Sequence, residues 1–297
     1  MSRKIIISRT YRKANPLIAF LMSFFFTGLG QIYTGSLYRG ITFLLLKLIV
    51  ILIPPFLLLY NPGYSRLNEV FYAILILAAL ILLSSIDAVV KSIKAPQIQA
   101  KRYNTAAFYI IFSIAGTILT LLSIIFFMFF FNFHRTAESA EPLFETNDLI
   151  LTTRIPGREY FHGEAVLIKS GNAFSIKRII AVPGEKASYR NSRFSVDGSE
   201  LPLSIFSENE LRKMPLSSYD VVSELNGSYK YPVRQKKGKS VIKFNLNENE
   251  YLTASDDREI ENFYTQIRTP EIWGRVEGSL IAFNRKKILI KPFIKGE

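Results

Sequence analysis

Long apolar stretches fill the first half of the chain, at about 16–34, 40–60, 70–90 and 105–133. A helix that spans a membrane needs roughly 20 apolar residues. The fourth stretch contains no charge, the third contains Asp87, and the second contains Lys47. The first is the weakest, because Gly28 and Gly30 interrupt it. If the basic segments before and after the first three stretches are both cytoplasmic, one of these stretches does not cross, and we expect the first to form a re-entrant or interfacial hairpin around Gly28–Gly35. The alternative is four full crossings with one basic loop on the wrong side. The pattern predicts a tail at 1–14 and a membrane region with three to four apolar segments at 15–133.

After residue 133 the pattern changes to short apolar runs separated by turn residues. Pro-Gly, Asp-Gly and Asn-Gly pairs occur at 183–184, 197–198 and 226–227. Many short strands with turns between them are typical of an antiparallel β domain, which we place at 134–297. The stretch 203–239 is polar and poorly patterned, and it predicts an insertion or a mobile loop. The predicted strands are 148–152, 165–168, 175–182, 193–196, 240–244, 250–253, 278–283 and 287–290.

The charge is distributed unevenly between the two halves. The chain has a formal net charge of +13. Residues 1–133 contain 12 Lys/Arg against two acids, a net +10, whereas residues 134–297 have a net charge of only +3. A basic footprint for nucleic acid is therefore missing from the β domain, and we expect no nucleic-acid partner.

The basic residues of the first half predict the orientation in the membrane. They cluster in the tail at 1–14 and in the connection 91–104, and basic loops stay on the cytoplasmic side. The last apolar stretch then runs outward. We expect a multi-pass protein of the cytoplasmic (inner) membrane whose domain at 134–297 is extracytoplasmic.

The composition limits the chemistry. Cysteine is absent, and the only histidines are His134 and His162. The lack of cysteine excludes a thiol nucleophile and a thiolate metal site. The two histidines disfavour a metal site with several histidine ligands. If the protein is an enzyme, its general base is expected to be a carboxylate or a lysine.

Five short motifs follow the last apolar stretch in order. They are Ser139-Ala-Glu-Pro, Asn-Asp148 before a strand, His162-Gly-Glu-Ala-Val, Lys177-Arg followed by Pro-Gly-Glu, and Ser-Asp256-Asp-Arg. In this order and spacing the series resembles type I signal peptidase, a family of membrane-anchored Ser-Lys proteases. The resemblance covers about residues 134–285, the whole predicted β domain. The family has one or two anchoring spans, so the extra N-terminal membrane segments are atypical.

The resemblance implies a role for each matching residue. Ser139 is implied as the nucleophile, whose own backbone N–H is one oxyanion donor, and Lys177 as the general base. A lysine can serve as a base when burial lowers its pKa from about 10.4 toward neutrality. Lys177 has apolar neighbours on both sides in a predicted strand, which could supply that burial. Structural residues near the site are implied at Asp148, Arg178, Asp256 and Arg258, the last two as a charged pair.

The implied activity is a serine endopeptidase that removes N-terminal signal peptides from exported preproteins at the membrane surface. It proceeds through an acyl-enzyme and requires neither metal nor cofactor. The expected partners are signal peptides, the lipid bilayer and the protein-export machinery.

The segment 28–35 resembles the turn of small two-helix membrane modules with a glycine-tyrosine-glycine signature. Its physical interpretation is a tight turn between helices, in which small residues form the packing surface. No chemistry is assigned to it.

Two other function classes stay open. In the last motif, Ser255, Asp257 and Glu261 stand where the family has glycine, asparagine and a serine that touches the lysine. A carboxylate at that position would raise the lysine pKa, which opposes its use as a base. The alternative is a catalytically degenerate membrane scaffold or partner-binding protein. A third hypothesis is a self-cleaving Ser-Lys regulator, whose small β domain has a related layout.

Overall fold

A computed structural model describes residues 11–60, 66–94, 97–99, 103–136, 142–170, 173–207, 221–235, 241–260, 263–282, 287–290 and 294–295. The chain divides into two compact units, 1–128 and 129–297. The first unit is helical and the second is built from β-strands. This confirms the predicted fold class of apolar helices followed by a mainly antiparallel β domain.

The first apolar stretch forms two short helices. Helix α1 (Pro16–Phe25) begins at Asn15, whose side chain accepts hydrogen bonds from the N–H groups of residues 17 and 18, and proline occupies the first helical position. Helix α2 (Leu29–Tyr33) follows Gly28, which has a left-handed φ of 94°. At about 1.5 Å per residue, the ten residues of α1 are too short to cross a hydrocarbon core of about 30 Å.

Three longer helices complete the first unit. They are α3 (Leu37–Tyr60), α4 (Leu67–Lys94) and α5 (Ala106–Phe130), and each is long and apolar enough to span a membrane. Two short strands, β1 (Tyr11–Lys13) and β2 (Gln97–Gln99), pair antiparallel.

Close packing around α2 explains the glycines of the 28–35 segment. A Cβ at Gly30 would lie 2.2 Å from the carbonyl oxygen of Ala19, so only glycine fits there. The neighbouring Gln31 is fully buried, and its amide donates to the carbonyl oxygen of Ser84 at 2.5 Å. Its carbonyl accepts from Ser23 Oγ at 2.8 Å. Small residues and buried hydrogen bonds therefore hold α2 against α1 and α4.

The described strands of the second unit form three antiparallel sheets. The largest has the order β15-β14-β6-β5-β16-β4-β3, with β17 also paired to β16. Two four-stranded sheets have the orders β13-β7-β8-β9 and β10-β11-β12-β18. The strands are β3 (Phe131–Arg135), β4 (Leu149–Thr153), β5 (Ala165–Ser170), β6 (Ala173–Ala181), β7 (Lys186–Arg190), β8 (Arg193–Val196), β9 (Ser199–Glu200), β10 (Leu203–Ser204), β11 (Val222–Asn226), β12 (Tyr229–Val233), β13 (Val241–Asn245), β14 (Glu250–Ala254), β15 (Tyr264–Arg268), β16 (Ile272–Ala282), β17 (Lys287–Ile290) and β18 (Ile294–Lys295).

The core of the β domain lies largely between the eight-stranded sheet and the β13-β7-β8-β9 sheet. Phe194, Phe244 and Leu252 belong to one buried cluster there. A second cluster, which includes Phe144 and Ile150, packs near the start of β4. These clusters contain the inward positions of the alternating pattern that predicted the strands.

All eight predicted strands are present, but the prediction for 203–239 needs a correction. Within that stretch, β11 and β12 form a regular hairpin around the Asn-Gly turn at 226–227. Tyr229, Tyr231 and Val233 alternate inward and are buried, so this part is neither polar throughout nor a mobile loop. Residues 208–220 and 236–240 lie outside the described part of the chain.

Candidate active site

Lys177 lies on β6, near the middle of the largest sheet. Its strand partner on β5 is Val166, and the next residue on the same face, Ile179, pairs with Thr253 on β14. Val166 and Ile179 are fully buried, whereas Lys177 itself is half-buried. The strand therefore places the lysine on an apolar surface, with part of its side chain still in contact with solvent.

A threonine hydroxyl contacts the Lys177 amine. Lys177 Nζ donates to Thr265 Oγ1 at 2.7 Å. Thr265 lies on β15 and pairs with Thr253 on β14, so β14 lies between the strands of Lys177 and Thr265. Lys177, Thr253 and Thr265 share one face of the sheet. The sequence did not single out Thr265, because it lies four residues beyond Glu261, where the resemblance expects the hydroxyl. Glu261 lies outside the described residues.

Arg178, the neighbour of Lys177, points to the opposite face and is fully buried. Its Nε and Nη2 donate to the two carboxylate oxygens of Asp256 at 2.8 and 2.5 Å, and Nη1 donates to the carbonyl oxygen of Gly163 at 2.9 Å. The guanidinium carbon also lies 3.8 Å from the centre of the Tyr231 ring. Burial alone would lower the pKa of Arg178, but the Asp256 carboxylate outweighs it and raises that pKa.

Arg258 does not pair with Asp256 as the sequence suggested. Its guanidinium instead makes a bidentate contact with Glu224 at 2.7 and 2.5 Å, and Tyr231 donates to the same carboxylate at 2.7 Å. Arg258 and Glu224 are both fully buried. A charge that is buried away from water is costly unless it has a partner of opposite charge. For Arg258 that partner is Glu224 on β11, whereas the sequence predicted Asp256.

A second buried charge cluster lies on β16 and was missed by the sequence prediction. Arg275 donates to Glu277 at 2.5 Å and to Glu164 at 3.4 Å, and Arg158 donates to Glu164 at 2.5 Å. Thr153 Oγ1 donates to Glu277 at 2.6 Å. The cluster contains two arginines and two glutamates, so its formal charges balance. It links β4 and β16 to the motif at 162–168.

Asp148 is fully buried at the start of β4 and organises the turn before it. Its carboxylate accepts a hydrogen bond from the N–H of Glu145 at 3.1 Å. Its own N–H donates to Thr136 Oγ1 at 2.9 Å, and the N–H of Asn147 donates to the carbonyl oxygen of Thr136 at 2.9 Å. The chain is therefore fixed on both sides of residues 137–141. Ser139 falls within that interval and lies outside the described residues.

Within the described ranges, no group of three or more His, Cys, Asp or Glu side chains is arranged to hold a metal ion. Among the described residues of the motifs, Lys177 offers an amine that contacts a hydroxyl. The surrounding arginine–carboxylate pairs fix the strands that carry it.

Known proteins that are similar to this chain indicate its family. Among solved structures, a signal peptidase I from Enterococcus faecalis is 15% identical, with 40% of this chain and 97% of that chain covered and a TM-score of 0.24. No curated protein matches the sequence. A family model described as signal peptidase, peptidase S26, matches residues 107–260, which is more than half of the chain. The chain therefore belongs to the signal peptidase family, peptidase S26.

Proposed function

We propose that the protein is a serine endopeptidase that removes N-terminal signal peptides from exported preproteins, with Ser139 as nucleophile and Lys177 as general base. The observation that carries this proposal is the Lys177 amine, which donates to the Thr265 hydroxyl at 2.7 Å at an exposed position of the sheet, in a chain of the signal peptidase family. The carboxylate at position 261 was the sequence's argument against Lys177 as a neutral general base, because a nearby carboxylate raises the lysine pKa. The contact with the Thr265 hydroxyl supports Lys177 as the general base, because a hydroxyl carries no negative charge.

The proposed reaction starts with Lys177 as a neutral amine. Its lone pair accepts the proton of the Ser139 hydroxyl while Ser139 Oγ attacks the scissile carbonyl carbon. The backbone N–H of Ser139 stabilises the resulting oxyanion. The C–N bond then breaks, and the leaving amine takes the proton from Lys177. Water hydrolyses the ester with Lys177 again as base, which releases the signal peptide and restores the free serine.

Thr265 has a positioning role in this scheme. A neutral amine has two N–H groups and one lone pair, and the hydrogen bond to Thr265 Oγ1 uses one N–H. This restricts rotation about the terminal bond of Lys177 and directs the lone pair away from β15. A bound substrate would cover the exposed part of the lysine and complete its desolvation.

The membrane arrangement that fits this function is an inner-membrane protein with its β domain outside the cytoplasm. A signal peptide presents its apolar segment to the bilayer and its small-x-small cleavage site near the membrane surface. The three helices that are long enough to span would anchor the enzyme at that surface. The lipid bilayer and the protein-export machinery are the further partners that we propose.

The test is cleavage of a purified preprotein by the full-length protein in lipid vesicles. We expect cleavage after a small-x-small sequence, and its loss in both Ser139→Ala and Lys177→Ala. Matched control variants are Ser199→Ala and Lys186→Ala, since both residues are exposed on other strands and should leave cleavage unchanged. Unchanged cleavage by either site variant would contradict the mechanism.

The alternative is a membrane scaffold or partner-binding protein built on a degenerate peptidase domain. The altered residues of the last motif favour it: Ser255 is buried, and Asp257 is engaged in an ion pair with Arg234 at 2.8 Å. Cells that depend on the protein discriminate between the two functions. Full complementation by Ser139→Ala would support the scaffold, and loss of complementation would support the enzyme.

A further inference from the structure

A lysine lies in the middle of a helix that is apolar enough to span a membrane. Lys47 follows Leu37, the first residue of α3, by ten residues and precedes its last residue by thirteen. At about 1.5 Å per residue, it is about 15 and 20 Å from the two helix ends. An ionisable side chain at such a depth is costly unless it has a partner, and by default it marks a functional site.

The first half of the chain offers Lys47 no acid. Its only acidic residues are Glu69 and Asp87. Asp87 accepts from Arg39 at 3.4 Å and from Gln31 at 3.3 Å, and Glu69 pairs with Arg66 at 3.3 Å. Over the described residues, Lys47 makes no ion pair or hydrogen bond. The described part of the first unit therefore supplies no counter-charge for Lys47.

Lys47 is one of the residues that line a cavity of about 170 Å³. Its walls come from the end of α1 and the residues after it, from α3, and from α5. The α5 wall is formed by small residues and hydroxyls, namely Ser113, Gly116, Thr117 and Thr120. Such residues allow another helix to approach closely, and hydroxyls can solvate a charged pair in an apolar medium.

An apolar groove of about 630 Å³ adjoins this cavity between α1 and α5. Both share Phe25, Phe26, Ser113 and Thr117 as walls. Most of the side chains that line the groove are large, and several are exposed within the first unit, including Phe25 at 68% and Ile114 at 55%. The first unit thus combines an apolar groove with one cation at its inner edge.

We propose that the α1–α5 groove binds a transmembrane helix of another protein that carries a carboxylate near its middle, which pairs with Lys47. A helix matches the groove through its apolar side chains, and the carboxylate supplies the missing charge. A signal peptide does not fit, because its charged region is basic and its core is apolar. The helical unit of a second copy fits poorly, since Glu69 and Asp87, the two acids of residues 1–133, already have partners. A lipid phosphate would lie nearer the membrane surface than the middle of the helix.

The experiment measures binding of designed helices to the full-length protein in vesicles of phosphatidylcholine. The probes are labelled leucine-alanine helices of about 20 residues with a single central Glu, Gln or Lys, and energy transfer to the labelled protein gives the affinity. We expect the Glu helix to bind about tenfold more tightly than the Gln helix, a typical effect for a close charge pair. The preference should disappear in Lys47→Leu and persist in Lys47→Arg.

Two further variants sharpen the result. Lys47→Glu should reverse the preference toward the Lys helix. Lys94→Leu, which removes a charge at the end of α4, should leave the Glu preference unchanged. Equal binding of the Glu and Gln helices, or a Glu preference that survives Lys47→Leu, would overturn the proposal. So would competition by phosphatidylglycerol that abolishes the Glu preference, because it would identify a lipid site. The readout needs no peptidase activity, so it is independent of the proposed function.

Discussion

The amine of Lys177 donates a hydrogen bond to a threonine that lies two strands away in the sheet. Thr265 lies on the outer strand β15, and its hydroxyl is the acceptor for the lysine. A hydrogen bond between a neutral amine and a hydroxyl contributes about 0.5–1.5 kcal/mol. If Lys177 is the general base, this contact contributes to the orientation of its lone pair.

We expect Thr265→Val to reduce kcat for signal-peptide cleavage about tenfold with little change in KM, because the valine keeps the shape but cannot accept the lysine N–H. Thr265→Ser should restore most of the activity. The measurement is steady-state cleavage of a preprotein by the full-length protein. Thr269→Val, at an exposed threonine of the same region, is the matched control. Equal kcat for the wild type and Thr265→Val would remove Thr265 from the mechanism.

His134 on β3 lies against two aromatic rings. Its ring centroid is 5.1 Å from that of Phe174 and 6.5 Å from that of Trp273. In the described structure its Nε2 is buried without a hydrogen-bond partner. Burial lowers the pKa of His134 below its usual value, so the neutral ring is favoured in the folded protein.

The lowered pKa predicts a pH dependence of stability. The unfolded chain binds the His134 proton more readily than the folded protein does. The contribution of neutral His134 to the free energy of unfolding is therefore complete above the unfolded pKa of about 6.5, and it is lost as the pH falls from that value toward the folded pKa. We expect Tm to decrease between about pH 7.5 and 5 by more in the wild type than in His134→Phe, which keeps the aromatic packing. Thermal unfolding in detergent measures this. Identical pH profiles for the wild type and His134→Phe would contradict the assignment.

At the scale of elements, the short helix α2 depends on the close approach of its glycines to neighbouring backbone. A Cβ at Gly28 would lie 2.1 Å from the carbonyl oxygen of Gly40, and one at Gly30 would lie 2.2 Å from that of Ala19. Backbone atoms cannot move as a flexible side chain can. The glycines therefore determine whether α1, α2 and α3 can pack together.

We expect Gly30→Ala to destabilise the helical unit by about 1–3 kcal/mol, the usual range for overpacking. The matched control is Gly116→Ala on α5, where a Cβ would lie at an ordinary 3.6 Å from Leu44. Protease resistance and thermal aggregation of the detergent-solubilised protein measure the difference. Equal stability of the two variants would show that the packing around α2 adjusts freely.

At the scale of the whole molecule, the proposed orientation makes a prediction about sidedness. Lys13, in the basic tail, should lie on the cytoplasmic side, and Ser199 on the β domain should lie outside. The chain has no natural cysteine, so single cysteines can be introduced without background.

We expect an impermeant maleimide to label Ser199→Cys on intact cells and to label Lys13→Cys only after the membrane is opened. Both positions are exposed within their own units, so the reagent can reach them. Labelling of Lys13→Cys on intact cells would reverse the orientation. It would also place the proposed peptidase site on the wrong side of the membrane for exported preproteins.

The sequence by itself determined the architecture of both units. Apolar stretches of about 20 residues predicted the long helices, because a bilayer admits little else. Period-two patterns and turn pairs predicted eight strands, because these signals are local. The hairpin at 222–233 was missed because a polar neighbourhood masked the alternation of Tyr229, Tyr231 and Val233. The proposed catalytic pair, Ser139 and Lys177, came from motif order alone and stays a prediction.

Only the tertiary structure decided which residues meet around Lys177. Thr265 is 88 positions from Lys177, and Glu224 is 34 positions from Arg258. No local pattern encodes such contacts, because they depend on which strands become neighbours and which face each residue occupies. The same reason applies to Lys47, whose charge was visible in the sequence. Its lack of an acidic partner became clear only when the structure paired Asp87 with Arg39 and Glu69 with Arg66.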